Sequence, residues 1–187
     1  VEYHEKALKI YLQIFGETHP DVADSYNNLG IAYKTLGEAK KAVEFYEKAL
    51  KIRLQVFGEA HPDVAMSYNN LGAAYDTLGD VKKALEFFEK ALKYPVQQGV
   101  NAKAHFWMAE SYYGQGDYPA ALRKYDDLRN SPGAYATELY EQAGYGMGYT
   151  YFKMKQYGEA ATAFRRFVAA EKRATIQRTD AMVRVAT

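Results

Sequence analysis

Apolar positions along this chain recur at intervals of three and four. Over residues 20–36 they fall at Val22, Tyr26, Leu29, Tyr33 and Leu36, which is one face of an amphipathic helix. Pro20 suits the first turn of that helix, where its missing N–H is no loss, and Asp21 favours the positive N-terminus. Gly37 ends the helix. Ala42, Phe45, Tyr46, Ala49, Leu50 and Ile52 then carry a second one to about Phe57, and Gly58 breaks it. The predicted unit is a helical hairpin, and it repeats. Gly16-Glu17-Thr18-His19-Pro20-Asp21-Val22-Ala23 returns 42 residues later as Gly58-Glu59-Ala60-His61-Pro62-Asp63-Val64-Ala65, and 28 of 36 positions are identical between 16–51 and 58–93. Residues 1–15 match 43–57 at 11 of 15 positions, so the chain is expected to open halfway through an earlier copy.

Beyond Pro95 the spacing loosens while the residue pattern persists. Met108, Ala109, Tyr112, Gly116, Ala121 and Tyr125 take the places of Leu29, Gly30, Tyr33, Gly37, Ala42 and Tyr46. A fourth copy supplies Met147, Gly148, Tyr151, Ala160 and Phe164, and a fifth begins near Thr179 with Ala181, Met182, Val185 and Ala186. The pattern predicts an all-α protein of about ten helices and no strands.

At these residues the chain resembles the tetratricopeptide repeat family. The family places a large residue, Leu, a small residue and Tyr on the first helix of each hairpin, then small-aromatic-small on the second. Here those positions hold Tyr26, Leu29, Gly30 and Tyr33 with Ala42, Tyr46 and Ala49, then Tyr68, Leu71, Gly72 and Tyr75 with Ala84, Phe88 and Ala91. Small residues let helix backbones approach, and rings fill the wedge between hairpins. Residues 1–94 resemble the kinesin light chain subtype in their 42-residue spacing, and 95–187 resemble irregular bacterial members. The resemblance implies a right-handed α-solenoid of tandem antiparallel hairpins. It would comprise a regular array over 1–94 and an irregular one over 95–187, packed as one continuous solenoid. In the later copies His105 and Gly144 replace the large leading residue, and Leu128 and Phe167 replace the late small one, so the local packing angle is open there. The change of style around 93–100 has two readings: two repeat arrays joined in a trimmed or engineered chimera, or one natural protein with uneven repeats.

In this family the first helices line a concave groove that holds extended peptides or helices. The resemblance therefore implies a lining of Asn27, Asn28, Ile31, Lys34, Asn69, Asn70, Ala73 and Asp76 in the first array. In the second it implies Lys103, Phe106, Trp107, Glu110, Tyr113, Gln142, Tyr145, Tyr149 and Phe152. Asparagine amides can pair with both groups of a peptide backbone, and they can equally satisfy neighbouring helices. The aromatics could anchor an apolar side chain or belong to the core; Tyr149 and Phe152 are the preferred groove candidates because Tyr151 takes the core position between them. A chaperone-type grip on a terminal carboxylate is excluded. Asn70 and Lys103 match it, but Ile31, Asn27 and Trp107 stand where Asn, Lys and Arg are needed.

Charge and composition narrow the function classes. Lys+Arg and Asp+Glu nearly cancel, 24 against 23, which argues against a nucleic-acid surface. There is no cysteine, and no apolar run approaches a membrane span, so no membrane association is expected and the chain is read as soluble, cytoplasmic by default. Gly144-Tyr145-Gly146-Met147-Gly148 lacks the strand and the Lys-Ser/Thr of a phosphate loop and reads as helix. His19 and His61 occupy equivalent turns with no second ligand, so no metal is expected. His4 and His105 stand at aromatic positions and are expected to be half-packed. Glu44, Glu47, Glu86 and Glu89 interleave with Lys40, Lys48, Lys82, Lys83 and Lys90 as solvated faces, and Arg123, Lys124, Arg129, Arg165, Arg166, Lys172 and Arg173 lie mostly on second helices. No catalytic residues and no cofactor are expected. The partner is a protein or peptide in the groove, or a second copy of the chain through apolar end helices.

Overall fold

The structure is a computed structural model that describes residues 1–93, 100–172 and 175–186. Ten α-helices and no strand occur among the described residues. Their contacts divide the chain into two compact units, Val1–Val100 and Asn101–Thr187.

The first unit holds α1 (Glu2–Phe15), α2 (Pro20–Thr35), α3 (Ala39–Phe57), α4 (Pro62–Thr77) and α5 (Val81–Leu92). Each helix packs against the next in the chain. Short connections enforce this, because Gly16, Gly37, Gly58 and Gly79 all have φ between 75° and 79°, a left-handed region that stops a helix without strain only at glycine. The small residues and rings meet tightly, and within each hairpin as well as between hairpins, where the repeat pattern placed the rings. A Cβ added at Gly30 would lie 2.5 Å from Tyr46 Cε1, and one at Gly72 would lie 2.6 Å from Phe88 Cε1. The absent side chain is the seat for the ring. Tyr46 also packs with Leu71 and Ala74 of the following hairpin, so one ring ties two hairpins together. Burial pushes its hydroxyl pKa up to about 12.

Two features of the turns were not legible as sequence motifs. His19 and His61 cap α2 and α4, each accepting the N–H of Asp21 or Asp63 at Nδ1 (3.2 Å). Their rings stack on Phe15 and Phe57, at centroid distances of 4.3 and 4.2 Å. Arg53 is buried, donating to Ser67 Oγ (2.7 Å), Asp63 O (3.2 Å) and Asp24 Oδ1 (2.7 Å), which pins α3 to both α2 and α4.

One sequence expectation needs correction. His4 is exposed rather than half-packed, because α1 buries none of its residues. Lysines assigned to solvated faces are exposed, and they also sit over rings: Lys48 over Tyr26 and Phe45, Lys83 over Tyr75, and Lys90 over Tyr68 and Phe87, all within 6 Å of the centroid. The aliphatic stems cover apolar surface while the ammonium stays near water.

The first unit ends on Val100, the opening residue of α6 (Val100–Gln115); the second holds the rest of α6, with α7 (Tyr118–Asn130), α8 (Glu138–Lys153), α9 (Tyr157–Ala170) and α10 (Ile176–Ala186). The glycine-rich segment 144–148 lies wholly within α8. Gly148 seats Phe164 of its own hairpin, whose Cε1 would be 2.5 Å from an added Cβ, and Gly146 seats Tyr125 of the preceding one. Ala109, Ala121, Tyr125, Leu128, Ala143 and Met147 form one core cluster. The fifth copy starts at Ile176 rather than near Thr179, since Thr175 Oγ1 accepts the Arg178 N–H (3.1 Å) and caps α10 three residues earlier. Arg173 lies outside the described residues.

His105 is half-buried on α6, as expected from its position. Burial lowers its pKa, with Asp127 (Nδ1 to Oδ2, 3.8 Å) acting in the opposite direction and Lys124 in the same one. The unfolded chain then takes up a proton near pH 6.5, whereas the folded chain does so only at lower pH. Stability is expected to fall as pH drops below about 6.5 and to level off below the folded value. Urea denaturation at pH 7.5, 6.5 and 5.5 checks this, and His105→Gln is expected to flatten that part of the profile. An unchanged slope in the variant would assign it to other groups.

Candidate peptide-binding site

The second unit contains a cavity of about 410 Å³. It is built from first-helix side chains at helical spacing. Phe106, Glu110 and Tyr113 project from one stripe of α6, and Glu138, Gln142, Tyr145 and Tyr149 from one stripe of α8. Tyr125 and Phe167, from the second helices, close the inner wall; Glu171, Thr175 and Gln177 complete the rim beside α10. Phe167 stands where the first unit has Ala49 and Ala91, so a ring replaces a methyl at that seam. It packs on Tyr145 with centroids 5.2 Å apart.

The walls are held from behind. The Tyr125 hydroxyl donates to Glu110 Oε1, which fixes that carboxylate at the cavity. The Tyr145 and Tyr149 hydroxyls both donate to Asp180 Oδ2 on α10, Tyr145 at 3.0 Å. Chiefly through the Tyr149 hydrogen bond, the Asp180 carboxyl is held below the usual carboxylate range. Burial raises the hydroxyl pKa of Tyr113, Tyr125 and Tyr145, so these groups are neutral donors at ordinary pH. Arg184 lies over the rings of Tyr149 (5.6 Å) and Phe152 (5.5 Å).

Of the groove candidates in this unit, Tyr113, Tyr145 and Tyr149 converge on the cavity together with Phe106, Glu110 and Gln142. Phe152 is exposed and stacks edge-on with Tyr157 at another depression of the same unit. Lys103 and Trp107 are exposed on α6 outside the cavity lining, Trp107 standing edge-on to Phe106 at 5.3 Å. In the first unit Asn28 is exposed, but Asn27 and Asn69 are buried. Asn70 Nδ2 donates to Asn27 Oδ1 (2.8 Å), an amide bridge between successive first helices, and Asn69 Nδ2 donates to Val100 O (3.1 Å). Three of the four asparagines therefore already satisfy protein groups. Lys34 is half-buried, and burial lowers its pKa against the pull of Asp76.

Sequence reasoning missed Glu138, Glu171, Thr175 and Gln177 as lining residues. They belong to helix ends and connections, where the repeat pattern carries no register. Tyr125 and Phe167 were read only as packing residues, because a ring can serve the core with one face and a cavity with its edge. Among the described residues no group of three or more His, Asp or Glu could hold a metal ion, and no helix is long and apolar enough to cross a membrane.

Comparison with known proteins places these features in context. Tetratricopeptide repeat models match residues 1–55 and 40–94, 88–135, and 142–170. A crystal structure of a Podosopora anserina putative kinesin light chain with nearly identical TPR-like repeats superposes with a TM-score of 0.71 at 19% identity, over 90% of this chain and 85% of that one. BtubC (BKLC) from P. vanneervenii superposes with a TM-score of 0.74 at 23% identity, over 92% and 76%. The apo quorum sensor NprR from B. thuringiensis gives 0.77 at 20% identity, covering 97% of this chain but 51% of its own. These likenesses are of fold. No curated protein sequence matches the chain significantly.

Proposed function

Since the chain belongs to the tetratricopeptide repeat family, whose repeats generally mediate protein–protein interaction, we propose that it is a non-catalytic scaffold that holds an extended peptide segment on its first-helix face. The cavity of the second unit is the principal contact. One observation carries this reading: side chains from α6 and α8 converge with the α10 end on a single concavity whose aromatic walls are braced from behind. Braced rings lose little freedom on binding and present large contact area, which is what anchors interfaces. Lys103, Trp107 and Phe152 are proposed as further contacts of the second unit, and Asn28, Lys34 and Asn70 as contacts of the first unit on its own first helices.

Selection from a random peptide display library tests the proposal. Gln142 is exposed on α8 at the cavity, and Gln142→Trp is expected to block it without disturbing the core. Selected peptides are expected to lose at least tenfold in affinity for this variant while its melting temperature stays unchanged. Peptides that bind the variant equally well would refute the cavity as the contact.

A second reading is self-association, favoured by the apolar face of α1. Ile10 is 53% exposed, whereas Ile52, its counterpart one repeat later, is 7% exposed. Tyr3, Ile14 and Phe15 are exposed beside it. A mass that rises with concentration in sedimentation equilibrium, and that returns to the monomer value in Ile10→Glu, would support it; a constant monomer mass would count against it.

A further inference from the structure

We propose that the cavity of the second unit receives an aromatic side chain of the bound peptide. This deepens the peptide-binding reading and rests on it. The cavity lies where a recurring contact is missing. In the register of the repeat, Asn70 and Asp180 hold the same position, just before the place of Leu29, and each bridges to the first helix before it. Asn70 Nδ2 donates to Asn27 Oδ1 (2.8 Å), and Asp180 Oδ2 accepts from Tyr145 (3.0 Å), the counterpart of Asn27 on α8. On α8 itself the bridging position is Gly146, and the receiving position on α6 is Phe106. No side chain bridges that step, and both residues line the cavity. No larger residue fills it from within, because a Cβ at 146 would meet the Tyr125 hydroxyl. The space between α6 and α8 is left for a side chain from outside.

The lining specifies the class of that side chain. Its walls are largely rings, and two pairs of them meet edge to face: Phe106 and Tyr125 at 65° with centroids 6.3 Å apart, and Tyr145 and Tyr149 at 70° and 5.1 Å. A further ring extends this arrangement, because the positive edge of one ring is drawn to the negative face of another, whereas an aliphatic chain gains contact alone. The polar atoms of the walls are already engaged. The Tyr125 hydroxyl donates to Glu110, those of Tyr145 and Tyr149 donate to Asp180, and Glu110, Glu138 and Glu171 all have interactions within the protein. An occupant therefore meets ring surface rather than an unmatched charge, which suits a neutral side chain and not a cationic one. At the mouth Gln142 and Gln177 are exposed, and their amides offer donors and acceptors to the peptide backbone on either side of the ring. An apolar floor beneath a polar rim is the usual anatomy of such a contact.

The test titrates the whole chain, isotopically labelled, with the peptide acetyl-Ala-Ser-Phe-Ser-Ala-amide. Two control peptides replace its phenylalanine, one with cyclohexylalanine, which keeps the size and apolar character but removes the π system, and one with arginine. The phenylalanine peptide is expected to show nuclear Overhauser contacts from its ring protons to the rings of Tyr145, Tyr149 and Phe167. It is expected to bind at least threefold more tightly than the cyclohexylalanine peptide and at least tenfold more tightly than the arginine peptide. Gln142→Trp, an exposed change that places an indole at the mouth, is expected to remove those contacts while the remaining amide resonances keep their native dispersion. Equal or tighter binding of either control peptide, or a phenylalanine peptide silent at these residues, would overturn this inference. Library-selected peptides that still lose affinity for Gln142→Trp would then leave the peptide-binding reading standing, and failure of those peptides as well would overturn both.

Discussion

Phe88→Ala is expected to lower the free energy of unfolding by about 3–5 kcal/mol, the range for truncating a buried ring. Phe88 is fully buried at the seam of its hairpin, and its ring lies where a side chain at position 72 would begin. Because α4 and α5 flank it rigidly, the cavity left behind cannot collapse completely, and the loss includes a term for that void. The more discriminating result concerns Gly72. In the native background Gly72→Ala places a Cβ at 2.6 Å from a ring that has nowhere to go, and overpacking of this kind costs about 1–3 kcal/mol. Alanine is a better helix former than glycine by about 1 kcal/mol, which offsets only part of that. In the Phe88→Ala background the obstruction is gone, so the same substitution is expected to stabilise. A double-mutant cycle by urea denaturation checks the change of sign. If Gly72→Ala is destabilising in both backgrounds, the glycine serves something other than the ring.

Tyr125→Ala is expected to cost a similar amount, about 3–5 kcal/mol, and to disturb the cavity as well. Tyr125 is among the largest fully buried side chains of the second unit, lies in the seat made by Gly146, and holds Glu110 through its hydroxyl. Tyr125→Phe separates these roles. The ring remains, so the cost is expected to be about 1 kcal/mol, the worth of one hydrogen bond, somewhat more because the acceptor is a carboxylate. Thermal unfolding measures the first effect and the amide resonances of α6 report the second. A Tyr125→Phe variant as unstable as Tyr125→Ala would mean that the hydroxyl, not the ring, holds this seam.

The contrast between the two units shows why some of the structure was legible and some was not. In the first unit a 42-residue copy presents the same hairpin twice, so the places of Gly30, Tyr46, Gly72 and Phe88 in the repeat followed from the pattern, while the seating of each ring on the glycine of its own hairpin did not. His19 and His61 were equally periodic, yet their capping role was hidden, because histidine is not among the usual capping residues and the stack on Phe15 or Phe57 crosses a turn. Asn27 and Asn70 illustrate an ambiguity that spacing cannot resolve. Both amides fall on the first-helix face, but only the coordinates reveal that one donates to the other across 43 positions.

What the sequence by itself determined is the hairpin: where each helix runs, which positions are small and which aromatic, and that the chain is a tetratricopeptide repeat protein. Those features depend on neighbours within about 20 residues, and a repeated local pattern records them several times over. Only the tertiary structure decided the cavity. Its walls come from Phe106 to Gln177, with a ring at position 167 where the first unit has a methyl, and carboxylates from three different segments. No periodic signal encodes such a meeting, because it depends on how side chains of unlike size settle at each seam, and a helix pattern fixes only the face from which they start.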